Sequence, residues 1–259
     1  MKTLSIINLK GGVAKTISTA TMAYILAAER GYRVLMIDND KQGNLSKMYD
    51  LHSYDHKGTD SLMTERLPVM ASLIRHTDYA GLDIITCNMS LITANLTVQL
   101  DQHRPQHDRF RKALSRIADQ YDYCIIDNAP DINISTTNAL VASDYVMIPV
   151  TIDDFALDGL PELAEQIENT REDMNPELDF LGCFITQYVV GDAADRQGAD
   201  LLERKGYPAF RTRIRRTDKV KPATFQRQPV PVYSTRCAAA LDYRKLVTEF
   251  LERTKDEKQ

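Results

Sequence analysis

Lys10-Gly11-Gly12-Val13-Ala14-Lys15-Thr16 lies near the start of this 259-residue chain, between an apolar run and a helical stretch. The apolar run, residues 4–8, predicts a buried strand. Residues 16–30 predict a helix, for which Gly31 is a typical C-terminal stop. The two adjacent glycines allow the connecting backbone to curl so that its N–H groups point inward, beside the N-terminus of this helix. We therefore expect an anion-binding loop between a strand and a helix.

The side chains of this loop indicate that the anion is phosphate. Lys15 supplies a positive charge for the outer phosphates of a nucleotide, and the Thr16 hydroxyl is a typical magnesium ligand. Because the loop also has the required strand-loop-helix context, a chance pair of glycines in a turn is the weaker interpretation. We expect residues 10–16 to hold nucleotide phosphates together with Mg²⁺.

The rest of the chain alternates between predicted strands and helices. This alternation predicts an α/β fold in which a single doubly wound, mostly parallel sheet is flanked by helices, as one domain over residues 1–259. Further strands are predicted at residues 33–37, 82–86, 124–126, 145–150 and 181–188. Further helices are predicted at residues 107–120, 159–170, 193–205 and 238–253. Residues 50–67 and 215–236 read as irregular, and we expect the polar tail 254–259 to fray.

Composition restricts the class of protein. Hydrophobic residues make up 43% of the chain and charged residues 26%, as in ordinary soluble proteins. No apolar run approaches the roughly 20 residues of a membrane span, and the N-terminus does not resemble a signal peptide. The four cysteines form no C-x-x-C pair, which argues against a disulfide framework or a zinc site. We expect a cytoplasmic protein.

Charge is distributed unevenly along the chain. Residues 196–259 hold 16 Lys/Arg and 8 Asp/Glu, whereas residues 1–195 hold 16 Lys/Arg and 28 Asp/Glu. A basic segment on an acidic body predicts a polyanionic partner for one face. A solvated, salt-bridged helical surface is the equally open alternative on charge alone.

The phosphate loop resembles the deviant Walker A motif of the ParA/MinD ATPases, whose distinguishing feature is an extra lysine near the start, here Lys10. The resemblance implies a P-loop NTPase fold, ATP and Mg²⁺ as cofactors, and a homodimer with ATP sandwiched between its subunits. In such a dimer Lys10 would act in trans on the partner's phosphates and Lys15 in cis. The resemblance runs over nearly the whole chain, from about residue 2 to 251. It includes Pro149-Val150 and the segment Phe155-Ala156-Leu157-Asp158-Gly159-Leu160.

Carboxylates follow two of the predicted strands. Carboxylates at the C-terminal ends of parallel strands lie beside the ligand crevice. Residues 38–44, Asp38-Asn39-Asp40-Lys41-Gln42-Gly43-Asn44, resemble the family motif D-x-D-P-Q-G-N, and Asp127 with Pro130 matches its D-x-x-P motif. The resemblance implies that Asp40 positions the attacking water, that Asp38 supports the magnesium shell or the switch, and that Asp127 reaches the hydrated Mg²⁺.

The sequence departs from the family pattern at the phosphate loop itself. Ala14 stands where glycine is usual, and we expect its methyl group to be tolerated if its φ angle is negative, while narrowing the approach of the phosphates. Ile17 replaces a common Ser/Thr and removes a hydroxyl contact to the α-phosphate. Both departures concern nucleotide affinity and turnover more than the identity of the site.

The resemblance also implies base and DNA contacts. We expect the adenine near the loops after the later strands, with Gln187, Arg215 and Pro229 as contacts. In ParA proteins the C-terminal region binds double-stranded DNA without sequence preference, which fits Lys/Arg side chains that neutralise phosphates and release counterions. The predicted DNA contacts are Arg196, Arg213, Arg215, Arg216, Lys219, Lys221 and Lys245.

The resulting hypothesis is a small, Soj-like ParA partition ATPase that is cytoplasmic and nucleoid-associated. ATP would join two subunits on DNA, and a ParB-like partner and DNA would stimulate slow hydrolysis. No helix-turn-helix segment precedes the phosphate loop, so operator binding is not expected. The alternative is a MinD-like membrane-surface ATPase, which would need an amphipathic, basic C-terminal helix, whereas residues 249–259 are polar and acidic. An iron–sulfur reductase would need cysteines between Asp127 and Val150, and the sequence has none there. A regulatory tyrosine kinase would need a cluster of tyrosines near the terminus, which is also missing.

Overall fold

A seven-stranded sheet forms the centre of the molecule, as seen in a computed structural model that describes residues 1–152 and 159–254. Its strands, in chain order, are β1 (Lys2–Ile6), β2 (Val34–Asn39), β3 (Ile74–His76), β4 (Leu82–Ile85), β5 (Tyr123–Asn128), β6 (Tyr145–Thr151) and β7 (Asp179–Thr186). Their spatial order is β3-β4-β2-β5-β1-β6-β7. Every adjacent pair is parallel except β3 and β4, which are antiparallel. The predicted doubly wound, mostly parallel sheet is confirmed.

Helices cover both faces of this sheet. The helices are α1 (Lys15–Tyr24), α2 (Asn44–Met48), α3 (Thr59–Thr64), α4 (Met70–Leu73), α5 (Ser90–Leu100), α6 (Arg109–Leu114), α7 (Ile134–Ala142), α8 (Leu160–Asp173), α9 (Ala193–Arg204), α10 (Val220–Phe225), α11 (Val230–Tyr233) and α12 (Ala238–Arg253). A π-helical turn, Ile25–Glu29, extends α1, and a 3₁₀ turn, Ser115–Ile117, extends α6.

The alternation of side chains along a strand fills the core on both faces of the sheet, where the buried apolar residues form three clusters. In β2, Val34 and Met36 pack in one apolar cluster, while Leu35 and Ile37 pack in a second. Since successive strand residues point to opposite faces, a fully apolar strand fills both layers. The first layer includes α1 and α12, and the second includes α5 and α6.

Some predicted element bounds are wrong. The helix predicted at residues 107–120 begins at Arg109 and changes to a 3₁₀ turn after Leu114. The segments predicted to be irregular contain α3, α10 and α11. The sequence pattern also missed α7, although Asn133 caps this helix by accepting hydrogen bonds from the backbone N–H groups of Ser135 and Thr136.

Two sequence expectations fall largely on residues that the structure does not describe. The family-like segment 155–160 is described only at Gly159 and Leu160, where α8 begins. The polar tail is described only at Thr254, so its expected fraying lies outside the described residues. The other terminal prediction, a helix over residues 238–253, is confirmed by α12.

Candidate functional site

The phosphate loop connects β1 to α1 at the C-terminal edge of the sheet. Gly11 and Gly12 are exposed, and a Cβ atom added to either glycine would meet no atom within 4 Å. The backbone of the loop therefore faces open space, as a phosphate cradle requires. Val13 is buried and anchors the loop, because its carbonyl accepts a hydrogen bond of 3.1 Å from the Thr186 hydroxyl.

The two lysines of the loop lie close together. The Lys15 ammonium donates hydrogen bonds of 2.9 Å to the carbonyl oxygens of Asn8 and Lys10. The Lys10 backbone N–H in turn donates a hydrogen bond of 2.9 Å to Asn8 Oδ1, which fixes the start of the loop. Burial lowers the pKa of Lys15, and the nearby Asp127 carboxylate opposes this shift.

Thr16 and Asp127 form a direct pair at the start of α1. The Thr16 hydroxyl donates a hydrogen bond of 2.7 Å to Asp127 Oδ2, and the Thr19 hydroxyl donates a weaker one of 3.4 Å to Oδ1. Parallel pairing of β1 with β5 aligns Ile6 with Asp127, which places this carboxyl beside the phosphate loop. Burial raises the pKa of Asp127 to about 8, and the neighbouring Asp38 adds to the shift. A hydroxyl and a carboxyl so placed are suitable oxygen ligands for Mg²⁺.

Asp38 lies level with Asp127 on the adjacent strand β2, but its carboxyl group is already occupied by the chain. It accepts hydrogen bonds from the Ser46 hydroxyl at 2.6 Å, the Ser46 N–H at 2.8 Å and the Asp40 N–H at 3.2 Å. Its side chain is fully buried, and this burial raises its pKa to about 7. These contacts hold the turn that carries Asp40, and the two roles that the resemblance implied for Asp38 stay predictions.

Asp40 lies at the edge of the site, half-buried in the turn between β2 and α2. Its Oδ1 atom accepts a hydrogen bond of 2.9 Å from the Gln42 N–H. The turn is held further by Thr59, whose hydroxyl donates a hydrogen bond of 2.6 Å to the Asp38 carbonyl. A partly solvated carboxylate on a fixed turn is suited to orient a water molecule.

Ala14 has a left-handed backbone conformation, in which a side chain is disfavoured. Its φ angle is +68° and its ψ angle 28°, in the left-handed region. A side chain there brings Cβ close to the following carbonyl, at a cost of roughly 1–2 kcal/mol. The condition stated for easy tolerance of the methyl group, a negative φ angle, is therefore not met, which explains why glycine suits this position better.

A large cleft, here called the main cleft, opens from the phosphate loop toward residues 214–226. Its volume is about 1280 Å³, and its lining includes Gly12, Ala14 and Ile17. Gln187, which has a φ angle of +58°, lines it too and donates a hydrogen bond of 2.8 Å to the Gly12 carbonyl. Arg215 also lines the main cleft. Pro229 does not line it, and instead lies buried at the start of α11.

Some of the predicted DNA contacts interact with other side chains of the protein, whereas others are exposed to solvent. Arg215 forms a two-pronged ion pair with the buried Asp242, at 2.7 and 2.9 Å. Arg213 lies over the Tyr188 ring at 5.1 Å, and Lys219 pairs with Asp218 at 3.1 Å. Besides Lys219, which is exposed as well as paired, the exposed members are Arg196, Arg216, Lys221 and Lys245. Of these four, Arg216 and Lys221 line the main cleft, whereas Arg196 lies on α9 and Lys245 on α12.

One contact at the site was missed from the sequence. The Ser18 and Tyr243 hydroxyls form a buried hydrogen bond of 2.8 Å between α1 and α12. Tyr243 lies one residue after Asp242, the partner of Arg215. Nothing in the local pattern around either residue distinguishes this tyrosine from an ordinary core aromatic residue.

The described part of the chain lacks two other kinds of feature. Within residues 1–152 and 159–254, no three His, Cys, Asp or Glu side chains group closely enough to hold a metal ion by themselves. A magnesium ion bound through one hydroxyl, one carboxylate, water and phosphate oxygens does not need such a group. Among the helices of the same residues, none has the length and apolar character to cross a membrane.

Known proteins resemble this chain over most of its length. The family described as an AAA domain matches residues 1–180. The chromosome partitioning protein ParA of Caulobacter vibrioides is 34% identical over 99% of this chain and 96% of its own. The chromosome-partitioning ATPase Soj of Treponema pallidum is 31% identical over 97% of this chain and 98% of its own.

Solved structures share the fold. Cobyrinic acid a,c-diamide synthase from Mycobacterium smegmatis, solved with an ATP analogue and magnesium, is 25% identical with a TM-score of 0.84, over 99% of this chain and 96% of its own. A plasmid partition protein from Borrelia burgdorferi bound to AMPPNP is 21% identical with a TM-score of 0.80, over 97% of this chain and 99% of its own. The fold predicted from the sequence is thus found in nucleotide-bound proteins.

Proposed function

This chain belongs to the ParA/MinD family of P-loop ATPases, and on that premise we propose that it is a DNA-partitioning ATPase. ATP binding joins two copies of the chain, the dimer binds double-stranded DNA without sequence preference, and hydrolysis releases it. The names of the curated relatives support partition as the process. The cargo would be plasmid, mobile-element or chromosomal DNA.

The residues at the phosphate loop fit ATP and Mg²⁺ as cofactors. Open space above Gly11 and Gly12 leaves room for phosphates, and Thr16 with Asp127 provides oxygen ligands for the metal. Bound Mg²⁺ would neutralise charge on the phosphates and so favour phosphoryl transfer. Lys15 supplies a fixed positive charge in cis, and Asp40 orients the attacking water.

Lys10 is assigned a role in the second subunit. Its backbone is fixed by Asn8, and its carbonyl accepts a hydrogen bond from Lys15 in the same chain. We assign the Lys10 ammonium to the phosphates bound by the partner copy, so that hydrolysis requires the dimer. Dimerisation then acts as the switch that ATP controls.

The observation that carries the DNA proposal is the shared lining of the main cleft. Gly12 and Ala14 of the phosphate loop line the same cleft as Arg216 and Lys221. A nucleotide bound at the loop would therefore alter the surroundings of cations that are suited to DNA phosphates. Exposed Arg196 and Lys245 extend the positive charge on α9 and α12.

Release from DNA is assigned to a second protein. A ParB-like partner would bind the ATP-bound dimer and stimulate a slow intrinsic hydrolysis. The protein would be cytoplasmic and associated with the nucleoid while ATP is bound. This cycle uses hydrolysis to reset a binding equilibrium rather than to drive metabolism.

The test measures DNA retention by the nucleotide-loaded protein. With ATP and Mg²⁺ we expect a dimer that retains duplex DNA of any sequence, and whose retention falls steeply as salt rises. Protein with ADP provides the control and should remain monomeric and unbound. If ATP-loaded protein ignores DNA but sediments with anionic vesicles, a membrane-surface ATPase replaces the partition proposal.

A further inference from the structure

A second cleft lies apart from the phosphate loop, between the segment that follows α3 and the segment that contains α6. This basic cleft, lined by residues 65–68 and by members of the stretch 103–116, has a volume of about 540 Å³. Its lining includes five Arg/Lys, two Asp/Glu and one histidine. The five cations are Arg66, Arg104, Arg109, Lys112 and Arg116. Positive charge is thus concentrated in a concave site within the acidic part of the chain.

Two of the arginines build the wall of the basic cleft. Asp101 Oδ2 accepts hydrogen bonds from Arg104 Nε at 2.7 Å and from Arg109 Nη2 at 2.9 Å. Arg109 also donates to the Met63 carbonyl at 2.9 Å, and its side chain is only 7% exposed. Because one carboxylate is shared by two guanidinium groups, this part of the wall keeps an excess of positive charge.

The remaining cations face the solvent side of the basic cleft. Arg116 donates a hydrogen bond of 2.9 Å to the Pro68 carbonyl, a neutral group that leaves the charge of the guanidinium intact. Lys112 pairs with Asp108 at 2.7 Å, and its side chain is 63% exposed. Arg66 is exposed on the loop after α3. Arg66 and Arg116 are therefore placed to receive an added anion.

We propose that the basic cleft binds a small phosphate-bearing ligand, of the size of a diphosphate or a mononucleotide. Arginine binds phosphate oxygens through two parallel N–H donors, and charge-assisted bonds of this kind are strong. The volume of the cleft falls within the range of small-molecule sites. None of its lining residues belongs to the phosphate loop or the main cleft, so it would be a second site.

The size of the basic cleft favours a small ligand over duplex DNA. Its volume of about 540 Å³ admits a small phosphate group but not a DNA duplex, which is a wide, stiff rod. Glu65 and Asp108 also line the basic cleft, and they are paired at 2.7 Å with Lys57 and Lys112, respectively. A compact phosphate group can approach the guanidinium groups while avoiding both carboxylates.

The experiment measures pyrophosphate binding to the full chain with the phosphate loop already filled by ADP and Mg²⁺. Isothermal titration, with free Mg²⁺ matched in both solutions, should detect one pyrophosphate per chain. Arg66→Ala and Arg116→Ala should each weaken this binding about tenfold, the loss expected for a charged hydrogen bond. Arg66→Lys should retain part of the affinity, since it keeps the charge without the planar fork.

The matched control removes an arginine elsewhere on the surface. Arg171 on α8 pairs with Glu168 and has a half-exposed side chain, so Arg171→Ala should leave pyrophosphate binding unchanged. Arg66 is exposed, so its replacement should not unfold the chain, which a thermal melt verifies. Absence of pyrophosphate binding, equal affinity in Arg66→Ala and wild type, or crosslinking of duplex DNA at the basic cleft in place of pyrophosphate would each overturn the proposal.

Discussion

Ala14 is the residue at which the phosphate loop is under backbone strain. Its φ angle of +68° places it among the four non-glycine residues with positive φ that the structure describes. Hydrogen bonds on both sides of Ala14 maintain this conformation. The Val13 carbonyl accepts a hydrogen bond from the Thr186 hydroxyl, and the Ala14 carbonyl accepts one from the Ser18 N–H in α1. A strained residue within a binding loop is a common sign of a functional constraint.

Replacing Ala14 by glycine should relieve this strain. We expect Ala14→Gly to raise the free energy of unfolding by at most about 1 kcal/mol. The gain is small because the relief of steric strain is partly offset by the greater conformational freedom of glycine in the unfolded chain. Urea denaturation provides the measurement. The control, Ala20→Gly inside α1, should destabilise by about 1 kcal/mol or more. A destabilising Ala14→Gly would mean that the left-handed conformation carries no strain.

Substitutions of Lys10 and Lys15 should affect different steps, Lys15 nucleotide binding and Lys10 hydrolysis. Lys15→Ala should abolish nucleotide binding, because it removes the buried cation of the loop. Lys10→Ala should keep nucleotide affinity but lower the hydrolysis rate by about 10²–10³, the typical loss of one transition-state donor. Fluorescent-nucleotide binding and phosphate release measure the two effects, with the exposed Lys57→Ala as control. Equal loss of nucleotide affinity in both variants would contradict a trans role for Lys10.

At the scale of elements, α1 and α12 are joined by contacts that link the phosphate loop to the C-terminal part of the chain. The buried Ser18–Tyr243 hydrogen bond lies one turn into α1. Further along, Arg244 pairs at 2.6 Å with Glu29, the last residue of the π-helical turn. π-helical turns frequently occur at functional sites. A movement of α1 would therefore displace α12 and the neighbouring Asp242–Arg215 pair.

A double-mutant cycle can measure the Ser18–Tyr243 link. Tyr243→Phe and Ser18→Ala should each lower the free energy of unfolding by about 1–3 kcal/mol, because each leaves the other hydroxyl buried without this partner. The double variant should lose less than the sum of the two, since no hydroxyl is then stranded. Urea unfolding of the four proteins gives the coupling. Strictly additive losses would show that the bond contributes nothing.

The wall of the basic cleft should make stability depend on pH. Hydrogen bonds from Arg104, the His103 N–H and Arg109 hold the pKa of Asp101 well below its ordinary value of 3.8. A lowered folded pKa means that the stabilisation is complete above about pH 4 and is lost as the pH falls toward the folded pKa. Asp101→Asn should therefore melt at a lower temperature than wild type at pH 7, and the difference should shrink below pH 4.

Melting temperatures between pH 7 and pH 2 provide this measurement. Asp55, an exposed carboxylate elsewhere, gives the control, and Asp55→Asn should follow wild type throughout. A difference between Asp101→Asn and wild type that stays constant with pH would mean that the ion pairs of Asp101 do not contribute.

At the scale of the whole molecule, the basic C-terminal segment contains both paired and exposed cations. Arg215 stabilises the fold through Asp242, whose side chain is only 5% exposed. Arg216 is exposed, and its backbone N–H donates to the Tyr188 carbonyl at 2.9 Å. Of the two alternatives raised by the charge pattern, a salt-bridged surface describes Arg215, whereas a polyanion-binding face stays a proposal for which Arg216 is the adjacent candidate.

Adjacent arginines should give different phenotypes. Arg216→Ala should leave stability unchanged, weaken DNA retention for all sequences and reduce the slope of affinity against salt by about one phosphate contact. Arg215→Ala should lower the free energy of unfolding by about 1–3 kcal/mol, because Asp242 loses its partner. DNA retention across a salt series and urea unfolding distinguish the two. Identical effects of both substitutions on salt dependence would contradict this division.

The sequence by itself determined the six parallel strands of the sheet, the phosphate loop and the carboxylates beside it, but not the antiparallel edge strand β3. These features could be predicted because each is encoded by consecutive residues: a buried strand by its apolar run, the loop by Gly11, Gly12 and Lys15, and the strand ends by Asp38 and Asp127. Parallel pairing then brings strand ends to one edge, whatever the details of packing.

Only the tertiary structure decided which groups meet across the fold. The Ser18–Tyr243 bond joins residues 225 positions apart, and Arg215–Asp242 joins an irregular segment to a helix. Such contacts depend on the relative position of packed elements, on which a local pattern carries no information. The left-handed Ala14 has the same origin, because contacts on both sides of the loop hold a conformation that alanine alone disfavours.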